Sequence, residues 1–250
     1  MFPIGDDNRD RTITPFLTYL LIVLNVLVFV VFQGCGSNVG FTYAFSTVPE
    51  EIITGRDLVS EAQVYVDQRT GQRFQVPGLQ PTPVSVYLTL LTSMFMHGGF
   101  AHLFGNMLFL WIFGDNVEDA LGRRRYILFY LLTGILASFA HILATVLFGG
   151  DPRIPSLGAS GAISGVLGGY VVLFPRRRVR VLIIRVIQEV PAYVAIGMWF
   201  LFQLVSGLGM LGGESGGVAY GAHIGGFVAG VVLVKIFAMG RPLTPARARR

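Results

Sequence analysis

Four residues on three separate stretches of this chain have the types that a nucleophilic site with oxyanion donors would need. Ser160 stands in Gly158-Ala159-Ser160-Gly161, and His223 follows Gly221-Ala222. His102 and Asn106 share the segment His102-Leu-Phe-Gly-Asn106. A serine hydroxyl is a weak nucleophile until a base takes its proton, and histidine is the usual base. His223 is the candidate partner of Ser160. No carboxylate occurs in the outer half of its apolar stretch, so the expectation is a Ser–His dyad and not a triad. His102 and Asn106, at i, i+4 spacing, lie on one helix face. Both can donate hydrogen bonds to a developing oxyanion, as can backbone N–H groups at the start of the serine's helix. Gly158, Gly161 and Gly226 are the glycines that shape this site, because they permit a tight turn and close approach by another helix. Taken singly these signals are weak, since Gly-flanked serines also serve membrane-helix packing.

What must position these residues is set by composition. Apolar residues make up 53% of the 250-residue chain and charged residues 13%, against about 25% charged in a soluble domain. Lipid must therefore cover part of the surface, which gives the bilayer as one partner. The net charge of +5 comes from arginines clustered between apolar stretches. That placement reads as a topology signal and not as a nucleic-acid surface, so no nucleic-acid partner is expected. Cys35 is the single cysteine, which excludes an internal disulfide and a multi-cysteine metal site. No cofactor and no metal are expected.

Six apolar stretches approach the about 20 residues that a bilayer core requires. They cover residues 14–32, 100–114, 126–148, 157–174, 192–211 and 218–238. The expected fold is an all-α membrane protein, a six-helix bundle spanning 14–238. A polar tail occupies 1–13, a long outer loop 33–85, and a basic tail 239–250. The first stretch lacks a small-residue cleavage site and reads as a span, not a signal peptide. Arg9 and Arg11, then Arg123–Arg125, then the arginines between 176 and 185, then those after 240 mark alternate connections. Both termini are accordingly expected in the cytoplasm. The second, fourth and sixth helices then start from the outer face. At about 1.5 Å per residue, His102, Asn106, Ser160 and His223 fall roughly 5–12 Å below that boundary. Gly221-x-x-x-Gly225 and Gly226-x-x-x-Gly230 predict contact between the fourth and sixth helices. His97 reads as structural and His141, deeper in its helix, as packing. Asp115, Glu118 and Asp119 are expected to pair with Arg123–Arg125.

These residues together resemble the rhomboid intramembrane serine proteases. The resemblance runs from about Leu90 to Gly230. It rests on His102-Leu-Phe-Gly-Asn106-Met, Phe113-Gly-Asp-Asn-Val-Glu-Asp119 with Gly122-Arg123, Gly158-Ala-Ser-Gly-Ala162, and Ala222-His-Ile-Gly-Gly-Phe227 with Gly230. It implies Ser160 as nucleophile and His223 as general base. His102 and Asn106, with the Ser160 N–H, are implied as the oxyanion hole. The implied substrates are transmembrane segments of other membrane proteins, single-pass or polytopic, cut near the outer face. The segment 207–217 is a candidate cap, and movement of the fifth helix a candidate gate. Two positions depart from the family pattern. Leu88-Thr89 stands where many members have Trp-Arg, and Ser164 stands where many have a tyrosine that stacks on the histidine. The alternative is a catalytically inactive rhomboid-like protein that binds membrane clients; such proteins lack the serine or the histidine. The Arg-rich, Lys-poor composition fits a bacterial plasma membrane.

Overall fold

The computed structural model describes residues 2–66, 73–210 and 219–241. Strand β1 (Phe2–Asp6) precedes α1 (Phe16–Leu27), which continues as a wider turn over Val28–Phe32. Two short helices, α2 (Val39–Ala44) and α3 (Pro49–Thr54), and a hairpin of β2 (Gln63–Val66) with β3 (Arg73–Val76) occupy the long connection that follows α1. A bent segment containing α4 (Thr89–Thr92) leads into α5 (Phe100–Leu121) and α6 (Arg123–Leu147). Then come α7 (Ser160–Leu173), the hairpin of β4 (Arg178–Ile183) and β5 (Val186–Pro191), α8 (Ala192–Met210) and α9 (Tyr220–Ala238).

The protein is therefore mostly helical, but the all-α expectation needs correcting. β1, β4 and β5 form an antiparallel sheet in the order β1-β4-β5. The segment expected as a polar tail supplies its first strand. The basic connection between α7 and α8 supplies the other two, because Arg178-Val-Arg-Val alternates with the period of a strand.

Among the described residues, α6 and α9 are long and apolar enough to cross a membrane, with mean hydropathies of 2.1 and 1.8. Shorter apolar helical stretches cover Phe16–Phe32, Val86–Phe95, Ser160–Leu173 and Ala192–Gly207. Much apolar surface faces outward, including Leu143 and Leu147 on α6 and Val232 and Ile236 on α9. Water would be a poor solvent for that belt, and hydrocarbon a good one. α7 differs: nearly all its residues are buried among neighbouring helices.

Glycine permits the closeness of α7 and α9. A Cβ on Gly226 would overlap the Gly161 carbonyl oxygen, and one on Gly230 would overlap the Gly165 carbonyl oxygen. The expected contact of these two helices is present. Gly221 and Gly225 instead face α6, against Ala144 and Ala140, so α9 presents small residues on two sides.

The acidic end of α5 is not paired as expected. Glu118, fully buried, accepts hydrogen bonds from the N–H groups of Leu17 (3.0 Å) and Thr18 (2.8 Å) and from the Thr18 hydroxyl (2.8 Å). It caps the N-terminus of α1, where the first-turn N–H groups have no intrahelical partner and the helix dipole favours an anion. Asp119 accepts from the N–H groups of Thr12 and Ile13, and Asp115 pairs with Arg11 at 2.6 Å. Arg125 turns to the other kind of helix end and donates to the carbonyls of Phe237 and Met239 as α9 closes. Orphaned backbone groups outcompete the nearest opposite charges in sequence.

Behind this lies a polar knot that fastens β1. Asp6 Oδ2 accepts from the Tyr170 hydroxyl (2.6 Å) and from Asn116 Nδ2 (2.8 Å), while its buried Oδ1 has no hydrogen-bond partner among the described residues. Arg177 grips Asp10 with two bonds and also reaches Asn116 and the Asp7 carbonyl. Burial, aided by the Asp115 charge, pushes the Asp6 carboxyl up to about 7 from 3.8. The folded state then holds the proton more tightly than the unfolded chain does. Stability from Asp6 is full below the unfolded value and is lost as pH rises toward the folded one.

Two outcomes follow. Protection of the β1 amides in hydrogen exchange should fall between pH 4 and about 7, by up to about 1.4 kcal/mol per pH unit for one proton. The difference between wild type and Asp6→Asn isolates this term, and Asp6→Asn should flatten it. Gly230→Ala should destabilise the bundle by about 1–3 kcal/mol, because neither backbone can yield to the new methyl; thermal unfolding in detergent reads the shift.

Candidate active site

Three helices begin close together and carry the candidate residues in their first turns. Ser160 is the first residue of α7, His223 the fourth of α9, and His102 the third of α5. The Gly-mediated contact of α7 with α9 fixes the first two. His223 Nε2 lies 2.8 Å from Ser160 Oγ. The other ring nitrogen, Nδ1, lies 2.7 Å from Gln203 Oε1 on α8. An amide oxygen can only accept, so Nδ1 carries the proton and donates it to this bond. Nε2 is then left with its lone pair directed at the serine hydroxyl. That is the tautomer a general base requires.

Gln203 was not among the residues singled out from the sequence. The readable signal was a buried amide midway along an apolar helix, where a polar side chain needs a partner. Aromatic rings also flank the imidazole without a tyrosine at position 164. Trp199 lies 6.2 Å from the His223 ring, tilted by 36°, and Tyr220 lies 6.3 Å away, edge to face. Ser164 instead donates back to the Ser160 carbonyl at 2.6 Å.

His102 lies across from the serine. Its ring approaches the Cα of Gly158, and a Cβ at that glycine would be 2.8 Å from His102 Nε2 and 3.6 Å from Ser160 Oγ. Gly158 also has φ of +121°, which disfavours any other residue. The Gly98 N–H donates to His102 Nδ1 at 3.3 Å, so Nε2 carries the proton and is free to donate. Asn106, one turn further along α5, is buried, and its Nδ2 has no hydrogen-bond partner among the described residues. Two donors thus stand on the face of α5 that carries His102, and the Ser160 N–H opens the first turn of α7. Gly161 meets Ala137 of α6 and the backbone of Gly226.

His97 and His141 stay outside this group. The His97 ring packs edge-on against His102 at 5.2 Å, and its backbone is clasped by the Gln33 amide through bonds of 3.0 and 2.9 Å. His141 sits on α6 behind α9, with its Cα against Gly221. A cavity of about 370 Å³ lies between α5 and α8, lined by Phe109, Phe113, Ile196, Trp199 and Phe202 among others. Trp199 therefore borders both the cavity and the histidine. Residues 211–218, which hold most of the candidate cap, lie outside the described residues.

With this geometry in place, comparison with known proteins identifies the lineage. The Rhomboid domain family matches residues 85–240, which is more than half of the chain, and the chain belongs to the rhomboid family. It is similar to Rhomboid protein 1, mitochondrial, of Saccharomyces cerevisiae: 33% identical over 160 residues, covering 62% of this chain and 43% of that protein. It is similar to Rhomboid protease GluP of Bacillus subtilis, 30% identical over 218 residues, covering 84% of this chain and 35% of that one. The mouse presenilin-associated rhomboid-like protein, mitochondrial, is 27% identical over 165 residues, covering 59% and 43% of the two chains. The chain spans less than half the length of these relatives.

Gln203 holds the His223 imidazole through Nδ1. Gln203→Leu should slow fluorophosphonate labelling of Ser160 by about ten- to a hundredfold, the equivalent of about 1–3 kcal/mol for an unpaired buried donor. Gln203→Glu keeps an acceptor and should move the acid limb of the labelling profile to higher pH, a shift that a merely structural role would not produce.

Proposed function

We propose that this protein is an intramembrane serine endopeptidase that cuts transmembrane segments of other membrane proteins near the outer face of the bilayer. The observation that carries the reading is the 2.8 Å approach of His223 Nε2 to Ser160 Oγ, with Nδ1 held by Gln203. As Oγ attacks the scissile carbonyl carbon, its proton passes to Nε2. The carbonyl oxygen gains the charge and accepts hydrogen bonds from His102 Nε2–H, Asn106 Nδ2–H and the Ser160 N–H. The imidazolium then protonates the departing amine, the amide C–N bond breaks, and an acyl-enzyme remains on Ser160. Water, deprotonated by the same imidazole, hydrolyses it and restores the serine.

Six spans with both termini in the cytoplasm accommodate this chemistry, with 14–238 as the membrane domain, 1–13 and 239–250 as flanking segments and 33–85 as an outer connection. α7 holds 14 residues, so it is about 21 Å long in a hydrocarbon core of about 30 Å. A helix that short can begin below the outer boundary, and Ser160 is its first residue. Burial among other helices removes the cost of the missing length. Water must reach the serine from outside, and a substrate helix must partly unwind there, since a fully bonded helix hides its carbonyls. The exposed apolar side chains of α8, Met198, Leu201, Phe202 and Val205, support lateral passage past that helix. The Arg-rich connections support a bacterial plasma membrane as the setting.

The test uses purified protein in detergent with a reporter membrane substrate and a serine-reactive isocoumarin. Wild type should cleave and label, and Ser160→Ala and His223→Ala should do neither. Asn106→Ala should lower kcat by about 10²–10³-fold with little change in KM. Undiminished cleavage by Ser160→Ala would remove the dyad.

A further inference from the structure

The β1-β4-β5 sheet has a second face that the bundle does not use. Val179 and Val181 point inward and join the hydrophobic core. By strand alternation and register, Phe2, Leu182 and Ile187 form one cross-strand row on the outer face, and Arg180 sits in the next row beside Glu189. Phe2 and Ile187 are exposed, and so are Arg178, Arg180 and Arg185. The hairpin turns at Ile184, which is 92% exposed and has φ of +58°. Glycine is the residue suited to that conformation, and a β-branched side chain is strained there. The chain thus holds a large apolar side chain at the tip in spite of the backbone cost.

The position of the sheet says what faces it. Pro3 and Val181 line one cavity with Phe109, Phe113 and Ile196, so this end of the sheet lies level with apolar parts of α5 and α8 and not clear of them. Its outer edge, β5, has no further strand among the described residues. Free edge groups cannot enter hydrocarbon, but water and headgroups satisfy them at the interface. The segment 176–191 carries five arginines and one glutamate. None of the ion pairs among the described residues includes Arg178, Arg180 or Arg185. Such a charge opposes pairing with a second copy and favours an anionic surface.

We propose that the β4–β5 hairpin with β1 is an interfacial anchor. Ile184, Ile187 and Phe2 dip into the headgroup–acyl boundary of the leaflet opposite the dyad, and Arg178, Arg180 and Arg185 bind the phosphates of anionic phospholipids. The side of the membrane rests on the topology proposed above; the insertion itself does not depend on proteolysis.

The experiment places a nitroxide at Ile184→Cys, and separately at Ile187→Cys, on a Cys35→Ser background. Each protein is inserted in nanodiscs of phosphatidylcholine with and without phosphatidylglycerol, and power saturation compares oxygen with a water-soluble nickel chelate. With phosphatidylglycerol, both labels should be more accessible to oxygen than to nickel. Replacing Arg178, Arg180 and Arg185 by glutamine should lower the inserted-to-aqueous ratio by about fivefold for each arginine. Aqueous accessibility at both sites in every lipid mixture would overturn the proposal. So would strong spin–spin broadening between labels in doubly loaded discs, which would assign the edge to a second copy. Cleavage of a reporter substrate, measured on the same samples, reports separately on the peptidase reading.

Discussion

Direct backbone contact between α7 and α9 is the constraint on which the rest of the site depends. Most helix pairs are held apart by side chains at interaxial distances of 8–10 Å. Here Gly161 and Gly165 present bare carbonyls to Gly226 and Gly230, and the helices come closer than any Cβ would allow. A serine and a histidine have short reach. Across this seam His223 Nε2 meets Ser160 Oγ at 2.8 Å. In lipid no hydrophobic force drives helices together, so dispersion between well-fitted backbones is what holds this contact. The glycines thus serve helix association and the Ser160–His223 contact at once.

At the opposite end of the bundle a different logic applies. Glu118 and Asp119 at the end of α5 do not seek the arginines that follow them; they satisfy backbone N–H groups of the N-terminal segment and of α1. Arg125 likewise satisfies carbonyls beyond the last turn of α9. A helix end left bare near a low-dielectric region costs more than an exposed ion pair returns. The result ties α1, α5, α6 and α9 together through their ends, and β1 is added by Asp6, Asn116 and Arg177.

The helical stretches were legible because length and hydrophobicity are summed over many residues, and summed signals survive local exceptions. The meeting of α7 with α9 was legible because Gly226-x-x-x-Gly230 places small residues on one face. The sheet was not anticipated, since Phe2–Asp6 and Arg178–Pro191 pair across more than 170 residues and their arginines dominated the reading. The alternation Arg178-Val-Arg-Val was nevertheless present. The partners of Glu118 and Asp119 could not be read from sequence, because backbone donors carry no sequence signature. Gln203 was readable as a polar residue in an apolar helix, but no family motif marks its position.

Gln203 also gives the site an asymmetry. Ser160 and His223 lie on helices locked by backbone contact, whereas the group that orients the imidazole lies on α8. That helix borders the cavity toward α5 and exposes Met198, Leu201, Phe202 and Val205. Trp199, on the same helix, flanks the ring. A displacement of α8 that widened the cavity would therefore stretch the Nδ1–H···Oε1 bond and shift the tryptophan, while Ser160 and His223 stayed in register. The imidazole would lose the partner that fixes its tautomer, and Nε2 would no longer be held as the acceptor. In the proposed peptidase, opening the bundle beside α8 and keeping Nδ1 bonded to Gln203 would therefore oppose one another.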